Sequence, residues 1–201
     1  MTATEPTDHA LMQQVAAGNS GRLALLFDRY QKRLFNFFLR LGFAHTTSDD
    51  LVQDTFLRVL RHAGSYRGDG FFVGWLFQIA RNVAANHWHQ QADWQALEDD
   101  EDLQLPVAFE HEPAALHEQA ALERRLRRAL LRLPRDSREL VLLARLKELS
   151  GEELAQLFGC SVSAVKVRLH RALIELRRHF DAVNESGMQV EAKSHECRNP
   201  V

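Results

Sequence analysis

The sequence predicts an all-α protein of two small helical domains joined by an acidic linker. Apolar residues recur at three- and four-residue steps in most segments, whereas no segment shows convincing period-two alternation. The acidic linker is predicted over 93–119, which carries nine Asp or Glu and no Lys or Arg. The next segment, 120–180, holds fourteen Lys or Arg against seven Asp or Glu. The overall net charge of −2 therefore conceals a basic domain that could meet a polyanion.

The first domain, 8–92, is predicted to contain four helices. Asp8 is a candidate N-cap for a short helix through Ala17. A longer helix is expected from Ser20 to Leu41, where Gly42 would end it. Four amphipathic helices of this length can bury one common core.

The other two helices of this domain flank a turn-rich break at 63–70. The third is expected to open at Thr47 or Ser48, which would place Asp49 and Asp50 in its first turn. Its buried positions are expected among Leu51, Thr55 and residues 57–60. The fourth helix has the sequence FFVGWLFQIARNVAANHWHQQ.

The second domain, 120–180, is predicted to begin with a helix that Pro134 interrupts. Asp136 or Ser137 would start the helix after it. A polar tail, 181–201, is expected to be flexible.

The stretch Ser150 to Arg178 has the pattern of a helix–turn–helix. Gly159 lies where a helix end favours positive φ, and Ser161 lies where the next helix needs an N-cap. The apolar stripe of the second helix leaves an outward face of Ser163, Lys166, Val167, His170 and Arg171. Such a helix commonly enters the DNA major groove, although a helical hairpin with a solvated basic face is the alternative.

Several classes of protein are not expected. No apolar run approaches the roughly 20 residues of a membrane span, so we expect no direct membrane insertion. The first residues lack the pattern of a signal peptide, and Cys160 and Cys197 form no spaced pair, which favours a cytoplasmic setting. No nucleophile–base pair or phosphate-binding glycine loop is evident, so we expect no enzyme activity, cofactor or small-molecule substrate.

Two short motifs could suggest a metal. His87 and His89 are two residues apart, so one helix would not present both to the same ion. The acidic run Glu98 to Asp102 lacks the glycine and the ligand spacing of a calcium loop. We therefore expect no metal site.

Three motifs in this order resemble the sigma-70 family of bacterial transcription initiation factors. They are DDLVQDTFLRVLRH, FFVGWLFQIARNVAANH and VKVRLHRALIELRR, and the resemblance covers about residues 10–180. The chain is most similar to the extracytoplasmic-function, or group IV, type. The first domain resembles sigma region 2, a helical bundle, and the second resembles sigma region 4, a helix–turn–helix.

The resemblance implies functions for each part. Region 2 would bind the β′ coiled coil of core RNA polymerase and open the −10 promoter element. Region 4 would bind the −35 element and the β flap. Promoter DNA and an anti-sigma factor are further implied partners, and polymerase would perform the chemistry.

The implied site residues form three sets. The polar set at helical spacing that would bind core polymerase is Asp50, Gln53, Asp54 and Arg58. The set that would act at the −10 element is Tyr66, Arg67, Arg81, Asn82 and Asn86. The set on the recognition helix that would act at the −35 element is Ser163, Lys166, Arg168, His170 and Arg171.

Other residues have less certain places in this scheme. Trp75 is expected in the core rather than as a platform for a base, and Arg168 is expected to prefer phosphate. Arg138, Lys147 and Ser150 are candidates for further contacts to the DNA backbone.

The chain departs from common members of the family at two places. The stretch NHWHQQ is neutral where basic residues are frequent. On the recognition helix, Ser163 and Ala164 stand where Gly-Thr is frequent, and Val167 stands where Ser is frequent. A stand-alone helix–turn–helix regulator and a sigma-like interaction protein without promoter binding are the alternative functions.

Overall fold

Helices form all the regular secondary structure that the computed structural model describes. It describes the backbone of residues 6–68, 72–95, 114–146 and 149–196, with side chains at 6–68, 72–90, 121–146 and 149–183. No strand occurs within these ranges, which confirms the predicted all-α class. Phe71, Lys147 and most of the predicted acidic linker lie outside the described residues.

Eight α-helices follow one another along the described chain. They are α1 (Asp8–Ala16), α2 (Leu23–Leu41), α3 (His45–Arg61), α4 (Phe72–Gln95), α5 (Ala114–Leu131), α6 (Arg135–Ala144), α7 (Gly151–Leu157) and α8 (Val162–Glu196). Short 3-10 helices precede α2 (Ser20–Arg22) and follow α3 (Ala63–Ser65).

Local signals at several helix ends act as predicted. Gly42 and Gly159 adopt φ of 115° and 59°, a left-handed conformation that costs glycine little. The Ser161 hydroxyl accepts a hydrogen bond from the Ala164 amide at 3.2 Å and so caps α8. Ser150 and Glu153 form a reciprocal capping box at the start of α7.

The caps of α1 and α3 were predicted at the wrong residues. Thr7, not Asp8, caps α1, because the Asp8 carboxylate is drawn into an ion pair with Arg29 at 2.6 Å. Helix α3 begins at His45, and the buried Ser48 hydroxyl donates to the Ala44 carbonyl at 2.8 Å instead of capping. Asp49 and Asp50 consequently lie beyond the first turn.

Helices α6 and α8 also differ from their predicted bounds. Helix α6 starts at Arg135 rather than at Asp136 or Ser137, because Pro134 already accepts from the Arg138 amide at 2.9 Å. Helix α8 continues to Glu196, past the expected start of a flexible tail at 181, and no proline interrupts it there.

The linker predicted over 93–119 overlaps two helices. Helix α4 continues through Gln95, and α5 is already helical from Ala114. Residues 96–113, which contain the acidic run and both linker prolines, lie outside the described residues.

A single hydrophobic cluster crosses from the first predicted domain into the second. Phe38 and Phe77 are fully buried in the first, and Phe37 meets Phe77 edge-on with ring centroids 5.3 Å apart. The same cluster continues into α6, α7 and α8 through Leu140, Leu143, Leu154, Leu157 and Val165. A smaller cluster joins α5, α6 and α8 through Leu130, Leu133, Val141 and Ala172.

Arg138 fixes the end of α2 to the end of α5. Its guanidinium donates to the carbonyls of Leu130, Leu131 and Leu133, and also to that of Leu41. The pKa of Arg138 is lowered, chiefly by desolvation on burial and further by the positive charge of Arg135. The negative charge of Glu139 opposes this shift. The expected contact of Arg138 with a DNA backbone is therefore wrong for this arrangement, because its donors are already used inside the protein.

Candidate nucleic-acid and polymerase interfaces

The first turns of α8 present a polar and basic face to solvent. Val165 and Ala172 are buried beneath the helix, so the three- and four-residue spacing turns the opposite side outward. That exposed side carries Ser163, Lys166, Val167, His170 and Arg171, as the apolar stripe predicted.

Arg168 lies to one side of this face. Its guanidinium is 5.5 Å from the Phe158 ring and 3.9 Å from the Asp136 carboxylate at the start of α6. The side chain is half-buried against the turn, where Nη1 is also 3.9 Å from Cys160 Sγ. Arg168 thus flanks the outward face instead of forming part of it.

The loop between α3 and α4 presents Tyr66 and Arg67. Tyr66 is half-buried, with its ring centroid 5.2 Å from that of Trp75, whereas Arg67 is exposed. The Tyr66 hydroxyl is 3.4 Å from His9 Nδ1, so α1 supports this loop. Gly68 has φ of 73°, and a Cβ there would lie 2.1 Å from the His9 ring. The positive φ favours glycine, and the exposed His9 ring would have to move to admit a Cβ.

A cleft of about 390 Å³ separates this loop and α4 from α7. Tyr66, Arg67, Trp75 and Gln78 line one side, and Glu153, Gln156 and Leu157 line the other. An arginine, two aromatic rings and one amide, that of Gln78, on the same wall can hold a base and its phosphate. The facing wall, however, belongs to the helix–turn–helix of the same chain.

Arg81 crosses from α4 to the second domain. Its Nε donates to Glu139 Oε2 at 2.7 Å, and Nη1 donates to the Leu157 carbonyl. The guanidinium also lies 4.2 Å from the Phe158 ring centroid. Asn82 and Asn86, by contrast, are exposed on the same helix. Sequence periodicity gave no sign of the Arg81 contacts, which join residues 58 and 76 positions apart.

Two further arginines join the second domain to the first. Arg127 Nη2 donates to the Phe43 carbonyl at 3.2 Å, and desolvation lowers the pKa of Arg127. The Arg135 guanidinium lies 4.5 Å from the Trp88 ring, which stacks on Phe43 at 4.8 Å. The neutral NHWHQQ stretch therefore supplies an aromatic contact between the domains.

Helix α3 exposes a mixed acidic and apolar face. Asp50 and Gln53 are exposed, and Asp54 pairs with Arg58 at 3.0 Å. Of the residues 57–60, where buried positions were expected, Val59 is fully buried, whereas Leu57 is 52% exposed and Leu60 is 40% exposed. A polar rim around exposed leucines is typical of a surface that binds another protein.

Neither metal binding nor a membrane span finds support in the described residues. They contain no group of three His, Cys, Asp or Glu side chains that could hold a metal ion. His87 packs edge-on against Phe43, and His89 is exposed. Among the described helices, none is long and apolar enough to cross a membrane.

Comparisons with protein families match both halves of the chain. Residues 26–93 match the family Sigma-70 region 2, and residues 123–176 match the family Sigma-70, region 4.

Curated relatives match along most of their own length. RNA polymerase sigma factor CarQ of Myxococcus xanthus is 32% identical over 83% of this chain and 93% of its own. The ECF RNA polymerase sigma-E factor of Escherichia coli (strain K12) is 32% identical over 83% and 90%. RNA polymerase sigma factor YlaC of Bacillus subtilis (strain 168) is 29% identical over 80% and 92%.

Solved structures have a similar fold. CnrH, solved in complex with the cytosolic domain of CnrY, has a TM-score of 0.63 and 28% identity over 87% of this chain and 97% of that one. The sigma factor RpoE from Bartonella quintana, solved with the anti-sigma factor NepR, also has a TM-score of 0.63. Its identity is 23% over 79% of this chain and 96% of that one, a likeness that concerns the fold alone.

Proposed function

The chain belongs to the sigma-70 family, in the extracytoplasmic-function group, and we propose that it binds core RNA polymerase and directs it to specific promoters. One observation carries this proposal. The same chain matches sigma region 2 over 26–93 and, within its region 4 match, exposes a basic recognition face on α8. A helix–turn–helix alone would fit any DNA-binding regulator, but the pairing with region 2 fits a subunit of the polymerase.

We assign the −35 element to region 4 and the −10 element to region 2. The recognition set on α8 would read the major groove and contact phosphates, with Arg168 at the flank. At the −10 element, Tyr66 and Arg67 would hold an unstacked base and its backbone, while Asn82 and Asn86 would face the strand. Arg81 completes this set only after it leaves Glu139.

The α3 face is our proposed site for the β′ coiled coil of core polymerase. It comprises Asp50, Gln53, Asp54 and Arg58, together with the exposed Leu57. Charged and amide groups around an apolar centre provide both specificity and buried area. Region 4 would in addition bind the β flap.

Promoter binding by both domains requires the chain to open. The two elements are separated by roughly 25 base pairs, or about 85 Å at 3.4 Å per base pair. In the described arrangement, Arg81 and Glu139 are 2.7 Å apart, and α7 faces the loop that carries Tyr66. We therefore propose that this arrangement is a closed form, and that region 4 leaves α4 when the promoter is bound.

Further parts of the proposal concern partners and setting. CnrH was solved with the cytosolic domain of CnrY, and the sigma factor RpoE was solved with the anti-sigma factor NepR; we propose an anti-sigma factor as a partner of this chain as well. We propose a cytoplasmic location, because core polymerase and promoter DNA must both be reached. We also propose that the chain has no catalytic activity of its own, since polymerase forms the RNA.

Run-off transcription tests the proposal against its alternatives. The purified chain is added to bacterial core polymerase on a promoter library, and the transcripts are sequenced. We expect a specific set of start sites, and little specific duplex binding by the chain alone. Tight operator binding without polymerase, and no transcript with it, would favour a stand-alone regulator. Core binding without transcripts would favour an interaction protein that has lost promoter recognition.

A further inference from the structure

Val167 is an apolar side chain within the polar outward face of α8. It is 50% exposed, while its outward neighbours Ser163, Lys166, His170 and Arg171 are all polar or charged. A β-branched residue lowers helix propensity slightly, and this one gains little burial from the protein's own core. Its apolar surface is therefore available to a ligand of the recognition helix.

The position of Val167 along and around α8 is central to the recognition face. Successive residues of an α-helix are rotated by about 100°, which places Val167 between Lys166 and Arg171 around the axis. It lies in the second turn after the Ser161 cap. In helix–turn–helix proteins, the first turns of the second helix are those that reach base edges.

The chemistry of the major groove offers one apolar group to such a side chain. Guanine, adenine and cytosine present donors and acceptors there, whereas thymine also presents its C5-methyl group. Valine has no donor or acceptor with which to meet the polar edges, and it can donate no hydrogen bond to a phosphate oxygen. We infer that Val167 contacts the methyl group of a thymine in the −35 element and thereby determines specificity at that position. This inference rests on the proposed binding of α8 to the −35 element.

A methyl group can be removed from the DNA as well as from the protein. Replacement of thymine by deoxyuridine removes only the C5-methyl group, and Val167→Ala removes only the two γ-methyl groups. If the two groups touch, each change weakens the same contact, and the two effects are not additive. Ile174→Ala is the matched control, because Ile174 is an exposed apolar residue of the same helix, 44% exposed and two turns further on.

The experiment uses the full chain with core polymerase on a promoter selected from the library. Each thymine of the −35 element is replaced by deoxyuridine in turn on both strands, and open-complex formation is measured. For the wild-type chain, we expect one substitution to lower the apparent affinity about fourfold, the factor that corresponds to about 0.8 kcal/mol for one buried methyl-sized group. Val167→Ala should bind the unmodified promoter about as weakly and be indifferent to that substitution. Ile174→Ala should keep the wild-type response.

Several outcomes would overturn the inference. These are a selected −35 element without thymine on either strand, a wild-type complex indifferent to every deoxyuridine, and a Val167→Ala complex that keeps the full wild-type response. Each of them leaves transcription by the wild-type chain intact, so they are distinct from failure of the proposed function. The absence of any specific transcript would instead overturn both.

Discussion

The α8 face and the α4 face differ in what already occupies them. On α8, Lys166, His170 and Arg171 are exposed to solvent. On α4, Arg81 is held by the Glu139 carboxylate and by the Leu157 carbonyl of the other domain. The first surface is exposed in the described form, whereas Arg81 on the second is already paired. If our proposed assignment of the two surfaces is right, −35 binding and −10 opening have unequal conformational requirements within one chain.

The ion pair between the domains is well shielded from water. Arg81 and Glu139 side chains are 21% and 8% exposed, so solvent screens their attraction only partly. Removal of one member of such a pair leaves the other incompletely solvated, which makes the contact costly to break on one side. Opening of the whole interface would instead hydrate both groups and expose the apolar cluster beneath them.

The largest loss of stability is expected from substitution of Arg138, which donates hydrogen bonds to carbonyls of both predicted domains. Arg138→Ala would leave four carbonyls without their hydrogen-bond donor, including those of Leu41 at the end of α2 and Leu131 at the end of α5. The substitution should lower the free energy of unfolding by at least about 3 kcal/mol. Urea denaturation followed by circular dichroism measures this change. Arg145→Ala, at an exposed position just after α6, is the matched control and should cost less than about 0.5 kcal/mol. A similarly small loss at Arg138 would contradict its anchoring role.

A second effect should be confined to the exposed surface. Lys166→Ala with Arg171→Ala should weaken promoter binding by the holoenzyme by about 2 kcal/mol or more and lower its salt slope by about 1 per residue. Core binding and the free energy of unfolding should stay unchanged, because both side chains are exposed. Fluorescence anisotropy with labelled promoter measures promoter binding, and the same method with labelled core polymerase measures core binding. Equal loss of core and promoter binding would contradict the separation of the two surfaces.

The covered surface should respond to loss of its ion pair. Glu139→Gln keeps the shape of the side chain but removes the charge that holds Arg81, and should destabilise the closed form by about 1 kcal/mol. Only the open form is proposed to bind, so a larger open population raises the apparent affinity. Core and promoter binding should therefore become tighter, up to about fivefold. Glu152→Gln, an exposed position on α7, is the control for the charge change alone. Weaker or unchanged binding by Glu139→Gln would argue against a closed form that competes with DNA.

The smallest effects are expected on α3. Leu57→Ala and Gln53→Ala should each weaken core binding by about 1 kcal/mol, Leu57 more than Gln53, while promoter recognition by the assembled holoenzyme is retained. Titration of the labelled chain with core polymerase measures the affinity. The exposed Leu25 on α2 provides the matched control, and Leu25→Ala should have a weaker effect than Leu57→Ala. The reverse order would move the polymerase interface to another face.

Sequence reasoning predicted the parts of this structure that local interactions decide. Gly42, Gly159 and Ser161 end or begin helices through bonds to residues a few positions away, so their roles follow from residue type and spacing. The outward face of α8 follows in the same way from the apolar stripe that opposes it. Local competition explains the misses at Asp8 and Ser48, because each has a better partner than the backbone amides it was expected to cap.

Contacts between segments far apart in the sequence could not be predicted from the periodicity of apolar residues. Arg81 was identified as a functional residue, but a basic residue on an amphipathic helix carries no mark of a carboxylate 58 positions away. In the sequence, Arg138 cannot be told from an arginine that binds DNA. In the structure, its guanidinium donates to the Leu41 carbonyl at the end of α2, a residue 97 positions earlier in the chain. Within 57–60 the sequence did not separate the buried Val59 from the exposed Leu57 and Leu60, because residue type alone does not distinguish an apolar core position from an apolar surface position.

The distance between α4 and α7 in solution tests the closed and open forms most directly. Spin labels at Gln78→Cys, on the part of α4 that faces α7, and at Glu152→Cys, both exposed positions, would be measured by pulsed EPR in a chain whose Cys160 and Cys197 are replaced by serine. We predict one short distance in the free chain, and a longer one after core polymerase and promoter DNA are added. Glu139→Gln should shift part of the free chain toward the longer distance. The same short distance in free chain and transcribing complex would contradict the account.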